Sequence, residues 1–132
     1  MNTLLYIAAS LLVAVGIAHS YLGERYILVR LFRRGDLPKT LGSAAFTART
    51  LRFAWHITSI AWLGLAGVLV VLAHPPASAD ALGLVVGCTF LAHGVVALVG
   101  SRARHLSWPV FLAIGILAIY ATRCLLYTSP SP

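Results

Sequence analysis

Four apolar runs, joined by short polar segments, constrain this chain more than any other feature of its sequence. A helix needs about 20 apolar residues to cross the hydrocarbon core of a bilayer, and each run reaches or approaches that length. Of the 132 residues, 60% are hydrophobic and only 10% are charged, which is too little charge to cover a soluble domain. We therefore predict an all-α integral membrane four-helix bundle, with helices at residues 3–22, 50–73, 81–100 and 108–122.

The positions of the basic residues predict how this bundle is oriented. All Lys and Arg except Arg123 lie in or beside the first and third connecting segments, and the second connecting segment has none. Because Lys and Arg mark cytoplasmic loops, we expect both chain termini outside, in a bacterial inner membrane. The net charge of +7 lies at the ends of apolar runs, so it predicts a lipid surface rather than nucleic acid as the partner.

Residues 16–34 lead the first apolar run from the membrane into water. Arg30, Arg33 and Arg34 lie at helical spacing among apolar residues, a pattern typical of a helix that runs along a membrane surface. We predict an amphipathic cytoplasmic extension of helix 1, with these three arginines in contact with the phosphates of anionic lipids. Trp55 and Trp108 lie where an interfacial aromatic belt is expected.

The four helices form one predicted domain, residues 1–123. The segment 124–132, CLLYTSPSP, resembles translated adaptor sequence, and we expect a non-native or disordered tail there. Two pairs of small residues at i, i+4 predict close helix packing: Gly83 with Gly87, and Ala14 with Ala18. Such pairs are compatible with a homo-oligomer or a membrane complex, but they identify no particular partner.

Histidine is the only reactive side chain that the apolar runs concentrate. At about 1.5 Å per residue, His19, His56 and His93 lie about 9, about 6 and about 13 Å from the nearest cytoplasmic arginine. A polar residue at membrane depth is costly and usually faces the interior of the bundle. His105 lies at the boundary, whereas His74 lies in the outer loop and is expected to be solvated.

One interpretation is a bound cofactor, which would make the protein a small electron-transfer or membrane-complex subunit. His19 and His93, with His56 as a third candidate, would ligate a haem b. Glu24 and Thr89 would then orient the ligating rings through hydrogen bonds. Alternatively, a transition metal such as zinc or copper would be bound by four histidines: His19, His56, His93 and His105.

Two other interpretations remain open. In the first, each histidine hydrogen-bonds a hydroxyl or carbonyl group of a neighbouring helix, and the protein is a non-catalytic packing or assembly subunit. The available hydroxyls are those of Ser20, Thr58, Ser59 and Thr89. In the second, an oligomer forms a small transporter or channel with a proton or ion path. The sequence contains no Gly-rich phosphate loop, no Ser-His-Asp set and no carboxylate pair, so it identifies no enzyme class.

Overall fold

The computed structural model describes residues 2–128, with side chains described for residues 2–124. The helices are α1 (Asn2–Leu22), α2 (Val29–Arg33), α3 (Ala44–Leu72), α4 (Ala79–Ser101) and α5 (Ser107–Thr128). The helix that begins with α1 and continues through α2 is long and apolar enough to cross a membrane, and so are α3, α4 and α5. Residues 2–128 contain no strand, and the predicted all-α fold with four spanning helices is confirmed.

The predicted extension of helix 1 is helical and joins the span without a break. A π-helical turn occupies Gly23–Leu28, and the N–H of Val29 donates to the carbonyl of Glu24, five residues earlier. Wide turns of this kind are rare and frequently occur at functional sites. The helix ends after Arg33, and Gly35 follows in a left-handed conformation with φ 74°.

α3 begins at Ala44 rather than at the predicted residue 50, so the last six residues of the first connecting segment, 44–49, are helical. Ser43 caps this helix, because its hydroxyl accepts a hydrogen bond from the N–H of Phe46 at 3.4 Å. The hydroxyl of Thr47 then accepts from the N–H of Thr40 at 3.1 Å and ties the preceding loop to α3. The predicted start of α3 followed the start of the apolar run, whereas the observed start follows the N-cap residue, Ser43.

α5 extends to Thr128, beyond the predicted end at residue 122. The first part of the predicted tail, residues 124–128, therefore has helical backbone. Residues 129–132 lie outside the described residues. The expectation that the tail is not native to the chain stays a prediction.

The four long helices alternate in direction and pack in a row. α1 packs against α3, α3 against α4, and α4 against α5, and no other pair of long helices shares more than a marginal contact within residues 2–128. In the apolar part of each span, 11% of the residues of α1, 11% of α3, 28% of α4 and 6% of α5 are buried. The row therefore leaves most apolar side chains facing lipid or a neighbouring protein.

The predicted small-residue pair on α4 is used inside the molecule. Gly83 lies against Thr122, and Gly87 lies against the backbone of Gly115 on α5. A Cβ placed on Gly87 would lie 2.8 Å from the Gly115 carbonyl oxygen. Because that neighbour is backbone and cannot turn away, α4 and α5 can approach this closely only with glycine here.

The predicted pair on α1 is not used in the same way. Ala14 and Ala18 are exposed, whereas Ala9 and Gly16 are the buried residues of this helix. Gly16 lies against the carbonyl of Ser59 on α3. The helix therefore turns a different face to its neighbour, and the Ala14–Ala18 face is left open.

Candidate functional site

A chain of hydrogen bonds crosses the interface between α1 and α3. Nδ1 of His19 lies 3.0 Å from Oγ of Ser59, and the hydroxyl of Ser20 donates to the same Oγ at 2.8 Å. The Ser20 oxygen also lies 3.0 Å from Nδ1 of His56. Nε2 of His56 lies 3.4 Å from Oε2 of Glu24. We call this set the α1–α3 polar chain: His19, Ser59, Ser20, His56 and Glu24.

Helix periodicity explains why these residues share one interface. Ser20 and Glu24 are four residues apart on one continuous helix, and His56 and Ser59 are three residues apart on α3. Residues at these spacings lie on the same face of a helix. The buried Gly16 of α1 and the buried Ser59 of α3 lie at the centre of this contact, so the polar side chains beside them meet across it.

The polar chain ends in an ion pair. Arg52 binds Glu24 through two contacts, with Nη2 3.0 Å from Oε1 and Nε donating to Oε2 at 3.2 Å. The guanidinium group of Arg52 also lies over the ring of Phe32, 5.0 Å from its centroid. The side chains of His56 and Glu24 are 32% and 34% exposed, so this end of the α1–α3 polar chain lies at the surface of the protein.

The other end of the polar chain is enclosed by two tryptophans. The rings of His19 and Trp55 stack at 4.4 Å with an interplanar angle of 3°, and Trp62 meets His19 edge-on at 4.9 Å. Nε1 of Trp55 donates to the carbonyl of His19 at 3.0 Å. Trp55 also lies directly against Gly23, where a Cβ would overlap the indole. Trp55 therefore belongs to the α1–α3 interface, and its place in an aromatic belt stays a prediction.

His93 lies on the other side of α3. Its Nε2 is 3.2 Å from the carbonyl oxygen of Ile57, and its ring lies between Phe90 and Phe111, at 5.4 and 5.6 Å. Nδ1 of this ring is buried without a hydrogen-bond partner among the described residues. The predicted orienting residue Thr89 instead donates to the carbonyl of Val85 in its own helix, at 2.7 Å.

The remaining two histidines, His74 and His105, lie in loops at opposite ends of the helices. Nδ1 of His105 is 2.8 Å from the hydroxyl of Ser107, and its ring packs edge-on against Phe53 at 5.2 Å. His74 is exposed, as expected for the loop between α3 and α4. It is nevertheless bonded to protein, because Nε2 lies 2.9 Å from the hydroxyl of Tyr6.

The four-histidine site expected from the sequence is not assembled in this arrangement. His19 and His56 meet the α1–α3 interface, His93 meets the opposite side of α3, and His105 lies in the loop before α5. Within the described part of the chain, no three His, Cys, Asp or Glu side chains are placed to hold a metal ion. The haem and metal sites therefore stay predictions that this geometry does not support.

Two of the three arginines of the helix 1 extension, Arg30 and Arg34, have partners within the protein. Arg34 forms an ion pair with Asp36 at 3.3 Å, and Arg30 lies over the ring of Tyr26, 5.7 Å from its centroid. Both pairs are at the surface, where such contacts add little to stability. The predicted contacts of Arg30, Arg33 and Arg34 with lipid phosphates stay a prediction.

His19, His56 and Glu24 are candidate site residues from the sequence alone, whereas Ser20 and Ser59 enter there only as hydroxyls available to structural histidines. A signal for them is present in the sequence. Ser20 directly follows His19, and Ser59 lies three residues after His56, so each apolar run brings one imidazole and one hydroxyl to a similar depth. Two helices that each carry such a pair can satisfy all four polar groups at one interface.

Comparisons of the chain with protein-family models, curated proteins and solved structures find no match. No residue role can therefore be transferred to this chain by similarity. Its function has to be inferred from the row of helices and from the α1–α3 polar chain.

Proposed function

We propose that the protein is a non-catalytic subunit of a membrane assembly and that its intramembrane histidines hold its own helices together. The observation that carries this proposal is that His19, His56 and His93 each bind a hydroxyl or carbonyl group on a neighbouring helix, at 3.0 to 3.2 Å. Hydrogen bonds between membrane helices contribute about 0.6 kcal/mol on average. Histidines bonded in this way need no cofactor to explain their presence at membrane depth.

The open row of helices supports the assembly part of the proposal. α1 and α5 each pack against one long helix, and the apolar part of α5 is only 6% buried. On α1, the exposed face carries Ala14 and Ala18 at i, i+4. A pair of the same type, Gly83 and Gly87, joins α4 to α5 within the molecule. We therefore propose that α1 contacts a second copy of the chain through its Ala14–Ala18 face.

The proposed location is a bacterial inner membrane, with the arginine-rich end of the row in the cytoplasm. This is the end where α1 leads into α2, α3 begins and α4 ends. The Lys and Arg of the two connecting segments at this end favour the orientation, and anionic lipids are the proposed partners of its arginines. A reporter fused after Pro76 should be external and one inserted at Lys39 cytoplasmic, and the reverse result would contradict the orientation.

The test of assembly is to count subunits in bilayers at high lipid dilution. The wild-type chain is expected to form dimers or larger oligomers, and the double variant Ala14→Leu, Ala18→Leu is expected to be monomeric. Ala113→Leu is the control, because it makes the same kind of substitution, once, at an exposed alanine of α5. A monomeric wild-type chain, or oligomers that survive the double substitution, would refute the proposed contact.

The same preparation separates this function from a haem- or metal-binding subunit. Purified protein is expected to show no Soret absorbance and no metal near one equivalent per chain. Replacing His19 or His93 with Ala should then lower stability without changing cofactor content. A Soret band that is lost in either variant would replace the assembly proposal with the electron-transfer one.

A further inference from the structure

We propose a second activity, beyond assembly: the α1–α3 polar chain transfers a proton between His56, at the arginine-rich end, and His19, deeper in the span. Four of its members are linked by successive hydrogen bonds of 2.8 to 3.0 Å. Chains of hydrogen-bonded hydroxyl and imidazole groups can pass a proton along their length, because each member both accepts and donates. Ionisable groups within spanning helices frequently form such relays.

The hydrogen bonds of the α1–α3 polar chain all donate in one direction. The hydroxyl of Ser20 donates to Ser59, so the oxygen of Ser20 is left to accept from Nδ1 of His56. Ser59 in turn has its own hydroxyl proton free for Nδ1 of His19. Nδ1 of His19 is then an acceptor, and the proton of this neutral ring lies on Nε2. Every donor in the chain therefore points from His56 towards His19.

Three proton shifts complete one transfer. The starting ring is a His56 imidazolium, whose Nε2–H faces the carboxylate of Glu24. Its Nδ1 proton passes to the oxygen of Ser20, the Ser20 proton passes to the oxygen of Ser59, and the Ser59 proton passes to Nδ1 of His19. Three N–H or O–H bonds break and three form, no electrons are exchanged, and one positive charge moves from His56 to His19. The donors then point in the opposite direction.

The entry side of the relay is exposed and surrounded by charge. A groove of about 630 Å³ beside His56 is lined on the α1 side by Ser20, Tyr21, Glu24 and Arg25. A second cleft reaches His56 from the α4 side, with Arg49 and Arg52 of α3 at its polar end. In this cleft α4 contributes only apolar residues: Val95, Val96, Val99 and Gly100. Among the described residues, Glu24 is thus the carboxylate that faces His56, and in this proposal it passes a proton from water to that ring.

The receiving side is able to hold a positive charge. The His19 ring stacks on the face of Trp55 at 4.4 Å, and a cation over an indole face is attracted by the ring. The edge of Trp62 covers the same ring at 4.9 Å. His19 is half-buried, so the charge would be placed inside the span and held by aromatic rings.

The experiment is ¹⁵N NMR of the histidines in the full chain, embedded in lipid nanodiscs and titrated with acid. In the wild-type protein, Nδ1 of neutral His19 should be an acceptor, and once one ring carries a proton, exchange of that proton between His56 and His19 should broaden the ¹⁵N signals of both rings. Ser20→Ala breaks the chain at its centre. In that variant the exchange of a proton between the two rings should be lost.

Two further variants control this result. Thr58→Ala removes a hydroxyl next to Ser59 whose bond lies within α3, to the carbonyl of Ala54 at 3.3 Å, so this variant should show the same proton exchange as the wild type. Ser20→Thr keeps the hydroxyl, and the groove beside it has room for the added methyl, so it should keep the exchange. Absence of proton exchange between the two rings in the wild type, a proton on Nδ1 of neutral His19, or unchanged exchange in Ser20→Ala would each overturn the relay. None of these outcomes depends on whether the protein assembles.

Discussion

The α1–α3 and α4–α5 interfaces join spanning helices in opposite ways. At the first, side chains bond across the contact, through His19, Ser20, His56 and Ser59. At the second, glycines bring the backbones together, and the exposed Arg123–Asp80 ion pair, at 3.8 Å, joins the start of α4 to the C-terminal part of α5. Because lipid is as apolar as Leu, the hydrophobic effect cannot drive either association, and polar bonds or close packing must do so.

This difference has a consequence for what each interface can do. Contact between backbones, as at Gly87 and Gly115, sets one separation and leaves nothing to titrate. A contact made of imidazole and hydroxyl groups can reverse its donors without moving the helices. The hydrogen-bonded groups of the α1–α3 interface suit the proposed proton transfer, whereas the glycine contacts of the α4–α5 interface should hold the fold most firmly.

Gly87→Leu should have the largest effect, because its side chain would meet the backbone of α5. We expect a loss of about 3 kcal/mol in the free energy of unfolding, at the upper end of the range for overpacked contacts. Reversible unfolding in bicelles would measure it. Ala113→Leu, at an exposed alanine of α5 outside the proposed contact, is the control and should change stability by less than about 0.5 kcal/mol. Equal losses for both would show that α4 and α5 do not pack at Gly87.

Ser59→Ala should have an intermediate effect, because Ser59 bonds both His19 and Ser20. We expect a loss of about 1 kcal/mol for two bonds between membrane helices. Thr58→Ala, which removes a hydroxyl bonded within its own helix, should cost clearly less in the same unfolding measurement. A Ser59 variant no weaker than the Thr58 variant would mean that the polar chain does not hold α1 to α3.

The smallest expected effect is the coupling energy between His19→Ala and His93→Ala, measured by combining the two substitutions in one variant. The two rings share no partner and lie on opposite sides of α3. Their losses of stability should therefore add to within about 0.5 kcal/mol. A larger coupling in the double-mutant cycle would indicate a shared site, as expected for two ligands of one haem.

The sequence by itself determined the class of fold and the depth of each polar residue. Four apolar runs require four spanning helices, because a bilayer leaves backbone groups no partners outside a helix or a closed barrel. Distance along a helix follows from residue number, so the similar depths of His19 and His56 were predictable. Helix ends depended on caps, and Ser43 starts α3 before its apolar run begins.

Only the tertiary structure decided which of these residues meet. Each step along a helix turns the side chain by about 100°, so two histidines at equal depth face each other or face apart depending on how the helices are rotated. The sequence does not state that rotation, because nearly every face of these helices is apolar. Gly16, Ser59 and Trp55 set it for α1 and α3, and the resulting contact pairs each histidine with a serine. His93 is left on the far side of α3, because α3 lies between α1 and α4 in the row.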